Sequence, residues 1–487
     1  MNEATSSIPI DDAVSTKAGG KRPLYAPRVA VYPKRVTGSL RRLKWVVLAA
    51  LLGVYYIVPW LRWDRGPGAP DQAVLIDLPH RRAYFFFVEI WPQEVYYLTG
   101  ILILAAIALF FATALAGRVW CGFACPQTVW TDLFMWVERL IEGDRNARIR
   151  LDRQPLSLAK AGKKVAKHAI WLVIGFLTGG AWIMYFNDAP TVVHQVLTLQ
   201  ASPTVTAFLG LFTATTYVMA GWAREQVCTY MCPYARFQAA MFDEDTLIVT
   251  YEGWRGEPRG RHRKGESWEG RGHCIDCKQC VAVCPMGIDI RDGTQMECIG
   301  CGLCIDACNG VMEKLALPKN LITFDTEAAQ EARAAGKPPR YRLFRPRTIV
   351  YGLLMVIVAG AMLWGLAFRS SVGVNVLHDR SPLYVVLSDG SLRNGYTVKI
   401  LNMTRRPRTF TLGVRGPAGA RLSVIGVAEA AGATVALAVK PDSVGSYRVY
   451  VRAPRAAVTA ASSPLAFVVT DEASGETDLY DTVFRGP

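Results

Sequence analysis

Acidic residues are scarce in this chain: 40 Asp and Glu stand against 55 Lys and Arg, a formal net charge of +15 over 487 residues, and charged residues make up only 20% of the whole. Histidine is rarer still. His80, His168, His194, His262, His273 and His378 form no i, i+3 or i, i+4 pair, so a haem held by two histidines on one helix face has no support. Cysteine is absent after Cys308, and the 12 present are too sparse for a small disulfide scaffold. What the chain has instead is apolar bulk, 51% hydrophobic residues with a mean hydropathy of +0.19. A soluble domain seldom combines apolar excess with basic excess; the pair points to lipid together with an anionic partner, a membrane surface or nucleic acid.

Charge-free apolar runs at 45–61, 95–117, 169–187, 204–222 and 348–368 are each about the 20 residues that cross a bilayer. Tyr55, Tyr56, Trp60, Tyr96 and Tyr97 sit at run ends, where interfacial aromatics are favoured. Lys and Arg collect before the first run (Lys17, Lys21, Arg22, Arg28, Lys34, Arg35, Arg41, Arg42, Lys44) and after the second (Arg145, Arg148, Arg150, Arg153, Lys160, Lys163, Lys164, Lys167), whereas 188–203 has none. The positive-inside rule then places the N-terminus and the loop after the second span in the cytoplasm and the C-terminus outside. The first external loop fits less well, with Arg62, Arg65, Arg81 and Arg82. Residues 1–42 lack the short apolar core of a signal peptide and read as a flexible basic cytoplasmic tail.

The expected fold class is a multi-domain membrane protein. It comprises a membrane domain over 43–223 with four spans, a cytoplasmic insert over 224–347, a fifth span at 348–368 and an external β domain over 372–487. In that last domain the runs 384–387, 396–401, 409–414, 422–425, 434–439, 447–451 and 465–469 are short, β-branched and punctuated by Gly, Pro, Asn or Asp, which predicts an antiparallel Ig-like β-sandwich without its disulfide. It carries one methionine, Met403, and no cysteine, so it is a poor candidate for a copper carrier.

The insert holds Cys274-x-x-Cys277-x-x-Cys280-x-x-x-Cys284-Pro285 and then Cys298-x-x-Cys301-x-x-Cys304-x-x-x-Cys308. This is the bacterial ferredoxin run written twice, in which each close triplet holds three corners of a [4Fe–4S] cube and the fourth Cys reaches across to the other cluster. Cys274, Cys277, Cys280 and Cys308 are assigned to one cluster, and Cys298, Cys301, Cys304 and Cys284 to the second, in a bacterial ferredoxin-like domain at about 265–315. Four-cysteine zinc sites also use C-x-x-C pairs, but two triplet-plus-one runs favour clusters. Asn309 stands where a proline usually follows. Thiolate-held clusters fit a reducing compartment, and two adjacent clusters make an electron wire.

The other four cysteines repeat a second pattern. Cys121-Gly-Phe-Ala-Cys125-Pro126 follows the second span and Cys228-Thr-Tyr-Met-Cys232-Pro233 follows the fourth. Proline suits the first turn of a helix, which makes Cys125 and Cys232 capping residues, and a helix N-terminus there favours the thiolate. Brought together by the duplication, Cys121, Cys125, Cys228 and Cys232 form a four-thiol site. Structural thiols, a redox dithiol and a soft-metal site holding copper(I) all remain open. Arg255–Gly256–Glu257–Pro258–Arg259–Gly260 and its basic surroundings suit anionic lipid headgroups better than nucleic acid, given their tie to the membrane.

Five spans, two Cys-x-x-x-Cys-Pro sites, a two-cluster ferredoxin insert preceded by Tyr251 to Gly260, and a C-terminal β domain together resemble the cytochrome c oxidase accessory proteins called CcoG, FixG or RdxA. The Cys-x-x-x-Cys-Pro site is shared with the NapH and NosR membrane electron-transfer proteins, so the order of parts carries the resemblance. It implies two [4Fe–4S] clusters, a bacterial inner-membrane location, and support for assembly of a cbb-type oxidase. It also implies a cupric reductase that turns Cu(II) into Cu(I) with Cys121, Cys125, Cys228 and Cys232 at the copper. The partners are then the bilayer, copper ion, an unidentified cytoplasmic electron donor, and oxidase assembly factors or a copper transporter or chaperone, with no nucleic acid. A quinol-linked electron-transfer subunit and a non-catalytic assembly scaffold are the alternatives.

Overall fold

The computed structural model describes residues 30–66, 68–263, 265–370, 372–427, 432–441 and 443–487. Five helices are long and apolar enough to cross a membrane: Ser39–Trp60, Pro92–Ala116, Leu158–Met184, Pro203–Ala223 and Pro346–Ala367. The third begins well ahead of its apolar run because Lys160, Lys163, Lys164 and Lys167 interrupt hydropathy without interrupting the helix. The fourth does not end cleanly. It passes from α-helix Pro203–Thr216 into a π-helical stretch Tyr217–Ala223, and a second π turn follows at Val227–Met231. Such bulges leave backbone carbonyls out of the i→i−4 ladder, and Gln127 Nε2 donates to two of them, Met219 O at 2.9 Å and Arg224 O at 3.2 Å.

The chain forms two compact units, one gathering residues up to Leu48 with Ala116–Trp171 and Val218–Tyr341, the other Ala49–Leu115 with Leu172–Tyr217 and Arg342–Pro487. Of the expected flexible tail, residues 1–29 lie outside the described residues. Residues 30–42 are not loose. Lys34 N donates to Ala282 O at 2.8 Å, Arg35 N to Asp144 Oδ1 at 2.9 Å, and Arg148 Nη2 to Pro33 O at 2.6 Å. The first helix starts at Ser39, and its N-terminal amides of Leu40 and Arg41 donate to Asp306 of the insert at 3.3 and 2.7 Å. The insert is itself closed by an antiparallel pair, Ile248–Tyr251 against Ile322–Asp325, in the register Ile248↔Asp325 to Tyr251↔Ile322.

In the second unit the C-terminal residues build two antiparallel sheets. One orders Arg421–Val424, Ser443–Ala453, Leu392–Asn402 and Val372–His378, with Val385–Val386 also on Leu392–Asn402; the other orders Thr434–Val439, Arg408–Arg415, Ser462–Asp471 and Thr477–Arg485. Inward positions alternate along each strand, as in Thr434–Val439, and Tyr396, Phe410, Val449, Phe467 and Phe484 are fully buried in the shared core. This is the expected sandwich, with first and last strands the sequence reading did not name. A three-stranded meander, Val74–Asp77, Arg82–Phe85 and Val88–Ile90, was also not anticipated. Three of the four arginines that sat awkwardly in that loop have partners, and Arg81 is exposed. Arg62 Nη1 bonds Asp71 and Asp188 at 2.7 Å each, Arg65 donates to the carbonyls of Phe86, Pro70, Gln72 and Ala73, and Arg82 stacks 4.0 Å over Trp91.

Candidate metal centre

All 12 cysteines are free thiols in the first unit. Pro126 opens the helix Pro126–Glu142 with Cys125 as N-cap, and Pro233 opens Pro233–Ala240 with Cys232 as N-cap. Cys121 lies in the turn of helix Val119–Phe123, and Cys228 lies in the π turn Val227–Met231. The duplication does bring the pairs together: Cys121 feels Cys125 and Cys232, and Cys228 feels Cys125, Cys121 and Cys232. Cys121 Sγ donates to Gln238 Oε1 at 3.1 Å.

The thiolate expectation is overturned for the bare site. Burial pushes the Cys121 thiol up to about 11 and the Cys228 thiol up to about 12, with the neighbouring thiols adding to the rise. Cys125 is raised as well. Burial outweighs the backbone amides of Thr128 and Gln127, which lie close enough to favour the thiolate but form no capping hydrogen bond. A helix N-terminus contributes only partial charge, and desolvation in a crowded thiol group is the larger effect.

The ferredoxin runs cross as their spacing implies. Cys308, in helix Leu303–Lys314, is surrounded by Cys280, Cys277 and Cys274, while Cys284 faces Cys301 and Cys298. Backbone amides are aimed at the sulfurs: Val281 at Cys280, Ile288 and Met286 at Cys284, Gly300 at Cys298. Left-handed Asp276, Lys278, Gly300 and Gly302 give the loops the tight reversals that turn successive amides to one side. Cys280, Cys284, Cys298, Cys301 and Cys304 line one apolar cavity with Val249, Met286, Ile288, Ile290 and Ile299. Burial raises the bare Cys280, Cys284, Cys298, Cys304 and Cys308 thiols, as expected of ligands whose charge awaits a cation. Among the described residues no three His, Cys, Asp or Glu side chains draw close enough for a single metal ion. Eight cysteines in two crossing triplet-plus-one runs are a donor set that fits two iron–sulfur clusters.

Asn309, the departure from the ferredoxin pattern, has a local role. After Cys284, Pro285 follows a helix that stops at Val283, whereas at Asn309 the helix continues to Lys314. Asn309 Nδ2 donates to Asn320 Oδ1 at 3.2 Å and Asn320 N donates to Asn309 Oδ1 at 2.7 Å, tying that helix to the chain leaving the insert.

The two cysteine groups adjoin. Cys121 and Cys228 pack on the cluster of buried side chains that includes Ile299, Cys301 and Leu303. A Cβ on Gly122 would come within 2.7 Å of Gly300 O and 2.9 Å of Cys301 Cα, so only glycine permits this approach. Between the groups lies Arg118, 6% exposed, donating to the carbonyls of Met296, Ala235 and, at 3.2 Å, Cys298. Its charge acts on Cys121, Cys298 and Cys228. Arg291 takes a similar place beside Cys274, with Nη1 3.8 Å from its sulfur, and is fixed by Asp289 and Asp276 at 2.6 Å each. The sequence reading missed both arginines; Arg118 is marked only by standing between the end of a span and the first Cys-x-x-x-Cys-Pro.

Comparison with known proteins agrees with this arrangement. Residues 223–327 match the family profile described as a 4Fe-4S dicluster domain, residues 98–143 one described as a 4Fe-4S binding domain, and residues 362–487 one described as the IG-like fold at the C-terminal of FixG. The chain is 50% identical to the nitrogen fixation protein FixG of Rhizobium meliloti over 98% of its own length and 96% of that protein's. It is 49% identical to protein RdxA of Cereibacter sphaeroides, covering 92% of this chain and 93% of RdxA, and 50% identical to protein RdxB of the same organism, covering 95% and 97%. With five membrane-crossing helices, paired ferredoxin runs and an Ig-like C-terminal domain in the same order, the chain is an iron–sulfur membrane protein belonging to the FixG/RdxA family.

Proposed function

We propose that this protein is a metalloreductase of the bacterial inner membrane. Its substrate is Cu(II), taken at Cys121, Cys125, Cys228 and Cys232, and its electrons come from a cytoplasmic donor. Cys274, Cys277, Cys280 and Cys308 hold one cluster, and Cys298, Cys301, Cys304 and Cys284 the other; bound there, the clusters supply one-electron chemistry. Each Cu(II) takes one electron and leaves as Cu(I), the ion that soft thiolates favour. The observation that carries the reading is the contact of Cys121 and Cys228 with the wall formed by Ile299, Cys301 and Leu303. Arg118 holds positive charge between donor and acceptor thiols, and Gln238 Oε1 holds the Cys121 thiol by accepting its hydrogen bond. The Cu(I) product would go to a copper transporter or chaperone serving assembly of a cbb-type oxidase.

The same reading puts the N-terminus and the insert on the cytoplasmic side and residues 372–487 on the periplasmic side. The pairing of Arg62, Arg65 and Arg82 within their own loop supports it, since these are not free basic residues of the kind that hold a loop inside.

The test is Cu(II) reduction by anaerobically purified, chemically reduced full-length protein, read with a Cu(I) chelator. Cys121→Ser/Cys125→Ser and Cys228→Ser/Cys232→Ser should each slow reduction at least about tenfold while the cluster absorbance persists. Parent rates in both double variants would overturn the assignment.

A further inference from the structure

A second site lies at the start of the first membrane-crossing helix, and no cysteine lines it. Arg35, Val36, Thr37, Gly38, Arg41, Arg42, Trp45, Trp136, Arg139 and Leu140 line a cavity of about 850 Å³ that contains no carboxylate in its lining. Its arginines are not equally satisfied. Arg41 is buried, bonded through Nη1 to both oxygens of Asp132 at 2.9 and 2.8 Å, and it stacks 4.5 Å over Trp45. Lys44 shares the same carboxylate at 3.5 Å, so Asp132 is already used. Arg139 Nη2 reaches no nearer than 3.8 Å to Asp132 and is buried without a hydrogen-bond partner. The exposed guanidiniums of Arg35 and Arg42 have no ion pair among the described residues. Of Arg35, Arg42 and Arg139, only Arg139 has a desolvated nitrogen without an acceptor, which is costly, and Arg139 lines the cavity.

The rim supplies the rest of the description. Trp136 and Leu140 of the lining are 44 and 67% exposed, Leu43 and Val46, which follow Arg42 and Trp45 on the helix, are 49 and 66% exposed, and Trp45 and Trp136 meet edge to face at 6.5 Å. Arginines at the end of a membrane-crossing helix, interfacial tryptophans and exposed aliphatic side chains are the features that recognise a lipid with a charged headgroup. Guanidinium is also the side chain suited to bidentate phosphate binding. We propose that this cavity binds the phosphodiester of an anionic phospholipid, with Arg35, Arg42 and Arg139 on the phosphate and Leu43, Val46 and Leu140 along the acyl chains. The proposal does not rest on the proposed reduction, since no cysteine lines the cavity.

Native mass spectrometry of the delipidated full-length protein in neutral detergent tests this. Phosphatidylglycerol and phosphatidylcholine of equal chain length are titrated separately, and inorganic phosphate serves as competitor. Phosphatidylglycerol should bind at least about tenfold more tightly than phosphatidylcholine, and Arg35→Gln/Arg42→Gln should erase that preference. Arg421→Gln/Arg455→Gln, which removes two exposed arginines of the C-terminal sandwich, should retain it. Equal affinity for the two lipids would overturn the proposal, as would an unaltered preference in the Arg35/Arg42 variant or an equal loss in the Arg421/Arg455 variant. Displacement of phosphatidylglycerol by millimolar phosphate would also overturn it, by showing a site for the free ion. Should the Arg35/Arg42 variant fail to fold, the parent protein's lipid preference and phosphate competition still decide.

Discussion

Arg118 is a buried cation that donates to three backbone carbonyls, with the thiols of Cys121, Cys298 and Cys228 and the carboxylate of Glu297 around it. Its positive field reaches Cys298 and Cys121. Reduction of a cluster adds negative charge, and a nearby cation stabilises that state, so Arg118→Gln should lower the potential of the neighbouring cluster by tens of millivolts, about 59 mV corresponding to a tenfold change in a one-electron equilibrium. Arg118→Lys should recover part of the shift. A redox titration followed by electron paramagnetic resonance reads this directly, and identical midpoint potentials in all three proteins would refute the role. The cysteines of this site were legible from spacing because ligand chemistry dictates residue type and interval. Arg118 was not, since its partners Met296, Cys298 and Ala235 come from distant segments and bond it through backbone atoms that carry no sequence signature.

The two ferredoxin helices differ by one residue choice. Pro285 accompanies a short helix, Gln279–Val283, and Asn309 accompanies a longer one, Leu303–Lys314. Asn309→Pro would remove an interior amide and drive the ring into the preceding turn, at a cost of about 3 kcal/mol or more. It would also break the paired hydrogen bonds with Asn320. The expected result is less iron per chain and a lower Tm; parental values of both would contradict it. Elements with one clear period were readable. The five apolar runs became helices and all seven named β runs became strands, because burial on one face or in lipid writes itself into hydropathy. Those that went unread lack such a period. Val372–His378 includes Gly373 and Asn375, Thr477–Arg485 carries Asp478 and Asp481, and the meander at 74–90 is broken by His80, Arg81 and Arg82. The π turns leading to Cys228 come from a backbone register shift that no composition rule reports.

For the whole chain, basic residues cluster in the segments before the first span and after the second, and Arg62, Arg65 and Arg82 of the loop after the first span have partners. In intact cells a membrane-impermeant amine reagent that passes the outer membrane should label the exposed Lys440 and leave the exposed Lys319 untouched until the inner membrane is opened. Labelling of Lys319 in sealed cells would reverse the orientation. The two-stranded clasp at Ile248–Tyr251 and Ile322–Asp325 carries a further consequence. Directly opposed residues in such a pair stand about 5 Å apart, so the polypeptide leaves for the cluster-bearing segment and comes back at nearly the same point. That segment is a closed cassette. A lineage could lengthen, shorten or exchange it between fixed anchor points at a small loop-closure cost, without disturbing the order of the helices on either side.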